Sequence, residues 1–157
     1  MFILDSLLKM FATMFSLDMF HSDLKPENVV LKKASGQAVG EWLFELRLID
    51  FGSVSLQYSL ITQYTELYAV PDLQKRLPFK SKQERVKSEN YTIGRTIMHI
   101  MLLSACASEG SNPEELFNSQ DPASIEKQFE KLSHFYDESI VQIVRMLIDE
   151  EDPEKIT

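Results

Sequence analysis

The sequence predicts a mainly α-helical fold with short β-strands, an α+β domain. Three observations carry this. Apolar residues recur at helical spacing in four separate stretches of the 157-residue chain. Runs rich in β-branched or alternating apolar residues are short and confined to the first third, around Val29 and Leu46. Asx-Pro pairs, which open helices, mark the second half at Asn112-Pro113 and Asp121-Pro122. No repeat, low-complexity segment or linker interrupts the chain, so a single domain over 1–157 is expected.

In chain order, residues 2–17 put Leu4, Leu7, Leu8, Phe11, Met14 and Phe15 on one broad face, the pattern of an amphipathic helix. Met19–His21 is expected to be a very short strand and Val29–Lys32 a second. Lys33–Glu41 holds Gly36 and Gly40 and reads as a turn or small insertion. Trp42–Ile49 alternates partly and ends in Leu46-Arg47-Leu48-Ile49, a further strand. From Asp50 to Asp72 no period persists, and a loop of that length in a compact domain is usually functional.

Helices follow. Ser88 is expected to cap a helix from Glu89 to about Ala105. Tyr91, Ile93, Ile97, Met98, Ile100 and Leu102 make it apolar nearly all round, as in a buried central helix. Asn112-Pro113-Glu114-Glu115 opens the next, with acids at the positive end of the dipole. Asp121-Pro122 opens another, carrying Ile125, Phe129 and Leu132. Asp137 caps a last helix with Ile140, Ile143, Val144 and Leu147, and Asp152-Pro153 ends the pattern.

Composition narrows the function. An apolar content of 44% supports one real core. The net charge is −8, and no basic stripe appears, which argues against nucleic acid as a partner. Cys106 is the single cysteine, so there is neither an intrachain disulfide nor a cysteine framework for zinc. An intracellular, cytoplasmic setting is expected. The apolar N-terminus is broken by Asp5 and Lys9 and lacks a cleavage site, so it does not read as a signal peptide. Ile93–Leu103 is too short to span a bilayer and contains Arg95 and His99. A soluble protein without a membrane partner is expected.

The chemistry is concentrated in two strings, HSDLKPENVVL from His21 to Leu31 and LIDFGS from Leu48 to Ser53. They resemble the catalytic loop and the metal-binding turn of protein kinases. The loop, strand, turn, strand order is the one that this resemblance requires, and Asp-Leu-Lys-Pro-Glu-Asn is similar to the serine/threonine class. The resemblance extends over the chain: Tyr64–Asp72 is similar to the end of an activation segment, and Glu89–Gly94 to the start of the large helix of the C-terminal lobe. It therefore implies the helical C-terminal lobe of a kinase, with a small β-hairpin region carrying the catalytic loop, as a partial domain over 1–157.

Residue roles follow from the resemblance. Asp23 matches the aspartate that orients the substrate hydroxyl and accepts its proton, and Lys25 the lysine that contacts the γ-phosphate of ATP. Asn28 and Asp50 match the ligands of Mg²⁺, an oxygen-seeking cation suited to both. Val30 and Leu31 match the strand beneath the adenine. Thr65 matches a threonine that bonds near the aspartate and lysine. His21 packs under Phe51 in this pattern, and Gly52 permits the turn. Glu27 has two readings, a contact to a basic substrate side chain or an exposed loop acid. His99 and His134 lack metal-ligand spacing and read as packing or surface residues.

Four departures from the family pattern shape the expectation. Ser22 stands where most kinases have arginine, the usual partner of a phosphorylated activation loop, so phosphate-ordered activation is not expected. Glu89 replaces the aspartate that braces the catalytic loop. Asp72 replaces a glutamate, and its usual arginine partner is not evident in 152–157. No Gly-x-Gly-x-x-Gly, strand lysine or partner glutamate precedes the loop, so the roof of the ATP site, the N-lobe, is expected to be missing. The leading expectation is a catalytic-lobe fragment of a serine/threonine kinase acting on protein with ATP and Mg²⁺. The alternative is a non-catalytic kinase-like module that binds a partner, or an N-lobe, through the vacant interlobe face.

Overall fold

The computed structural model describes residues 2–33 and 44–149. The expected turn containing Gly36 and Gly40, the start of the Trp42 strand and the Asp152-Pro153 terminator lie outside the described residues. Within them the chain is mainly helical with one two-stranded antiparallel sheet.

Helix α1 (Phe2–Ser16) buries Leu4, Leu7, Phe11 and Met14, the i, i+3, i+4 stripe read from sequence. Each such side chain contributes about 1.5–3 kcal/mol of burial. The expected strand at Met19–His21 is a single bridge instead: Phe20 and Ser55 exchange two backbone hydrogen bonds, each 2.9 Å. A one-turn helix at Pro26–Asn28 leads into β1 (Val29–Lys33), which pairs with β2 (Phe44–Leu48), Val29 opposite Leu48. Leu46 and Leu48 face the core, while Val30, Leu31 and Phe44 are exposed.

After a largely irregular stretch and the short helix α2 (Leu73–Arg76), the central helix α3 runs Lys82–Glu109. It starts seven residues before the expected Glu89. Its cap is Ser81, whose Oγ accepts the Glu84 N–H at 3.2 Å, and not Ser88, which lies inside the helix. The reason is compositional. Residues 82–88 carry no apolar period; their start is marked instead by Ser81 and Glu84, whose Oε2 accepts the Lys80 N–H at 2.7 Å, and Arg85 within them is buried. Gly110, at φ +71°, ends α3 in the left-handed conformation that glycine tolerates.

Helices α4 (Pro113–Leu116), α5 (Pro122–Ser133) and α6 (Glu138–Ile148) follow, capped by Asn112, Asp121 and Asp137, whose carbonyl or carboxylate oxygens accept backbone N–H bonds. All three pack on α3. Gly94 allows the closest approach: a Cβ there would lie 2.8 Å from Ile148 Cγ1 and 2.9 Å from Leu147 Cβ. Arg95, fully buried, donates to Gln128 Oε1 at 2.7 Å and lies 4.0 Å from the Phe117 ring centroid. His99 is buried against Phe117 and bonds to the Tyr68 hydroxyl at 2.7 Å; His134 is exposed, and Cys106 is buried. No helix among the described residues is long and apolar enough to cross a membrane.

Candidate active site

The loop between α1 and β1 gathers the polar residues singled out in the sequence. Its backbone is held from below. Leu24 is fully buried, and its carbonyl accepts the Thr96 hydroxyl of α3 at 3.2 Å. With Leu24 pointing down, Asp23 and Lys25 are left at the surface of the loop, 12% and 26% exposed. Lys25 Nζ lies 3.0 Å from Asp23 Oδ2 and donates to Thr65 Oγ1 at 3.1 Å. Thr65 Oγ1 in turn donates to Asp23 Oδ1 at 2.6 Å. Three residues from two loops thus close a hydrogen-bonded triangle around one carboxylate.

Asn28 is buried, and its Nδ2 donates to the Asp23 carbonyl at 2.8 Å. That bond fixes the shape of the loop. It also leaves Oδ1, the oxygen suited to a hard cation, outside the loop's own hydrogen bonding. The Asn28 carbonyl accepts the Ile49 N–H at 3.0 Å, which joins the loop to the turn that follows β2. In that turn Asp50 is exposed and adopts a left-handed conformation, φ +60°. A Cβ at position 52 would meet Asp50 Oδ1 at 3.3 Å, so glycine gives the carboxylate room. His21 is fully buried; its Nε2 lies 3.4 Å from the Ile49 carbonyl, and its ring centroid is 5.6 Å from that of Phe51. Among the described residues no cluster of three or more His, Cys, Asp or Glu is placed to hold a metal. One carboxylate and one amide are available instead, a set that suits magnesium, which keeps water and phosphate oxygens as its other ligands.

Beneath the loop lies a residue that the sequence reading did not single out. Arg85 is fully buried, and its Nη2 donates to Ser22 Oγ at 2.7 Å and pairs with Glu89 Oε1 at 2.8 Å. The same Glu89 oxygen accepts the Ser22 N–H at 3.0 Å. Phe20 and Phe79 flank the guanidinium, their centroids 5.1 Å and 5.6 Å away. Burial pushes the Glu89 carboxyl up, against the pull of Arg85 and of the Ser22 N–H; burial pushes Arg85 down, against the pull of Glu89. Glu89 Oε2 and Arg85 Nε and Nη1 are buried without hydrogen-bond partners among the described residues. The sequence signal was Arg85 four residues before Glu89, which share a face only if the helix starts early.

The remaining residues sit apart. Val30, on β1, is 38% exposed, and Glu27 is exposed on the one-turn helix. Asp72 pairs with Lys75 at 2.8 Å on the surface, which holds its carboxyl below the usual range. No protein-family model matches the chain, and no curated protein matches it.

Proposed function

We propose that this chain is the catalytic floor of a serine/threonine protein kinase, which transfers the γ-phosphate of ATP to protein hydroxyls when an N-lobe completes the nucleotide site. The observation that carries this reading is the triangle of Asp23, Lys25 and Thr65 around one carboxylate. Its parts suit the reaction. The substrate oxygen attacks the γ-phosphorus, the bond to the leaving diphosphate breaks, and the hydroxyl proton passes to Asp23. Lys25 offers a positive charge to the transferred group. Thr65 holds the end of the loop against Asp23 and thereby orients the carboxylate. Asn28 and Asp50 are the residues that would hold Mg²⁺, which when bound neutralises phosphate charge.

The test is transfer of labelled phosphate from Mg-ATP to a generic protein substrate. Asp23→Asn is expected to lower the rate about 10²–10⁴-fold, the scale of a lost general base, and Asp50→Ala to abolish transfer. Transfer that survives Asp50→Ala rejects the reading, and the absence of both transfer and ATP-dependent thermal stabilisation counts against catalysis by this chain alone.

A second reading has its own support. Val30, Leu31, Phe44, Ile49 and Phe51 are all at least 38% exposed and lie on or beside the hairpin. An apolar surface of this kind suits a partner protein or an N-lobe. A non-catalytic kinase-like module would bind through it and transfer nothing.

A further inference from the structure

Thr65 opens a hydrogen-bonded turn. Its carbonyl accepts the N–H of Tyr68 at 3.0 Å and of Ala69 at 3.1 Å. Such a turn, like the end of a helix, leaves its last carbonyls without partners of their own. Gln120 supplies them. Its Nε2 donates to the Leu67 carbonyl at 3.0 Å and to the Ala69 carbonyl at 2.7 Å. A side-chain amide carries two N–H donors, and both are engaged. Arg95 Nε lies 3.5 Å from the same Leu67 carbonyl. Tyr68, between the two carbonyls, is buried, and its hydroxyl meets His99 Nδ1 of α3 at 2.7 Å. The turn is therefore gripped on its backbone by Gln120 and through a side chain by α3. Gln120 is itself well fixed. It is half-buried between α4 and α5, immediately before the Asp121 cap. The Ser119 carbonyl accepts Arg95 Nη2 at 3.3 Å, and Ser119 Oγ donates to the Asp121 carboxylate. Asp72, further along the segment, pairs with exposed Lys75 instead.

We infer that Gln120 is a positioning residue for the Asp23 carboxylate. The inference rests on the kinase reading for what that carboxylate does, and on the hydrogen bonds for how it is held. Gln120 fixes the carbonyls of Leu67 and Ala69, and the turn they belong to fixes Thr65. Thr65 Oγ1 has one proton, which it donates to Asp23 Oδ1 at 2.6 Å, while it accepts Lys25 Nζ at 3.1 Å. The place of that hydroxyl decides how the carboxylate is turned. If the turn slackens and Thr65 withdraws, the carboxylate keeps only Lys25, 3.0 Å from Oδ2, and rotates toward it. A reacting group misplaced by about 1 Å costs on the order of 10²-fold in rate. Gln120 acts through Thr65 and touches none of the reacting atoms.

The experiment reads the link both with and without turnover. The full chain is labelled with ¹³C at threonine methyl and aspartate carboxyl groups, and the Thr65 and Asp23 resonances are followed without nucleotide. Gln120→Met, close in length but without N–H donors, is expected to shift both. Gln120→Lys, which restores donors on a longer stem, should return them most of the way. In transfer from Mg-ATP, Gln120→Met should lower kcat by about tenfold with KM for ATP unchanged, the signature of lost orientation and not of lost binding. Gln120→Lys should recover most of that rate. If Gln120→Met does not fold, as judged by circular dichroism, Gln120→Glu takes its place, being of the same shape and without donors when ionised. Resonances that ignore the loss of the donors, equal effects of the donor-free and lysine variants, or an active chain whose kcat ignores Gln120→Met overturn the inference. An inert chain whose resonances move as expected keeps the hold on Asp23 and loses the kinase reading; an active chain in which they stay put does the reverse.

Discussion

Ser22 holds a left-handed backbone, φ +73°, with its N–H bound to Glu89 and its hydroxyl to Arg85. Such a conformation costs a non-glycine residue about 1–2 kcal/mol and persists only where its surroundings impose it. The imposing group is a buried ion pair, so its two halves are not equivalent to remove. Arg85→Met leaves a carboxylate without its cation and is expected to cost about 3–5 kcal/mol in urea denaturation. Adding Glu89→Gln, which keeps an oxygen for the Ser22 N–H, should recover a large part of that loss. A double variant no more stable than the single one would show that the pair does not act as a unit. Asp23, Lys25 and Asn28 were legible because their spacing lies within one loop. Arg85 was not, because its burial depends on Phe20 and Phe79, which only the fold brings to it.

At the scale of elements, α3 organises the domain, and its contact with α6 is set by Gly94. Because a Cβ at that position would overlap Ile148 and Leu147, Gly94→Ala is expected to push α6 away and to destabilise the fold by about 1–3 kcal/mol, the range for overpacked cores. A thermal melt unchanged by the substitution would mean that α6 yields without cost. The ends of α5 and α6 were legible from Asp121 and Asp137, since an N-cap is a local device. The start of α3 was missed although Ser81 and Glu84 mark it locally, because its first turn is polar and carries no apolar period. The strand expected at Met19–His21 shrank to one bridge because Phe20 finds only Ser55 as a partner there.

For the whole molecule, the uneven distribution of apolar surface matters most. The core collects around α3, yet Val30, Leu31, Phe44, Ile49 and Phe51 remain outside it. The sequence placed Val30 and Leu31 in a strand without saying which of its residues face inward. Leu31, Phe44, Leu46 and Leu48 share one side of the hairpin, where Leu46 and Leu48 are buried while Leu31 and Phe44, further along the strands, stay exposed; Val30 lies on the other side. The purified chain is expected to associate with rising concentration through this surface, and Leu31→Lys with Phe44→Ser to restore the slower-sedimenting monomer. Sedimentation velocity reads this directly. Association that ignores both substitutions would place the sticky surface elsewhere.

The buried pair beneath the loop also constrains how this sequence can change over time. Positions 22 and 85 lie 63 residues apart but meet the same buried carboxylate, Ser22 through its backbone N–H and Arg85 through its guanidinium, which also donates to the Ser22 hydroxyl. An arginine introduced at 22 would bring a second cation to an acid already neutralised by Arg85. Loss of Arg85 alone would strand that acid. Each change is unfavourable in the background of the other residue as it stands, while the two together preserve the charge. The loop serine and the helix arginine thus form an epistatic pair: a lineage crosses between the two arrangements by paired substitution, and a substitution tolerated in one is deleterious in the other.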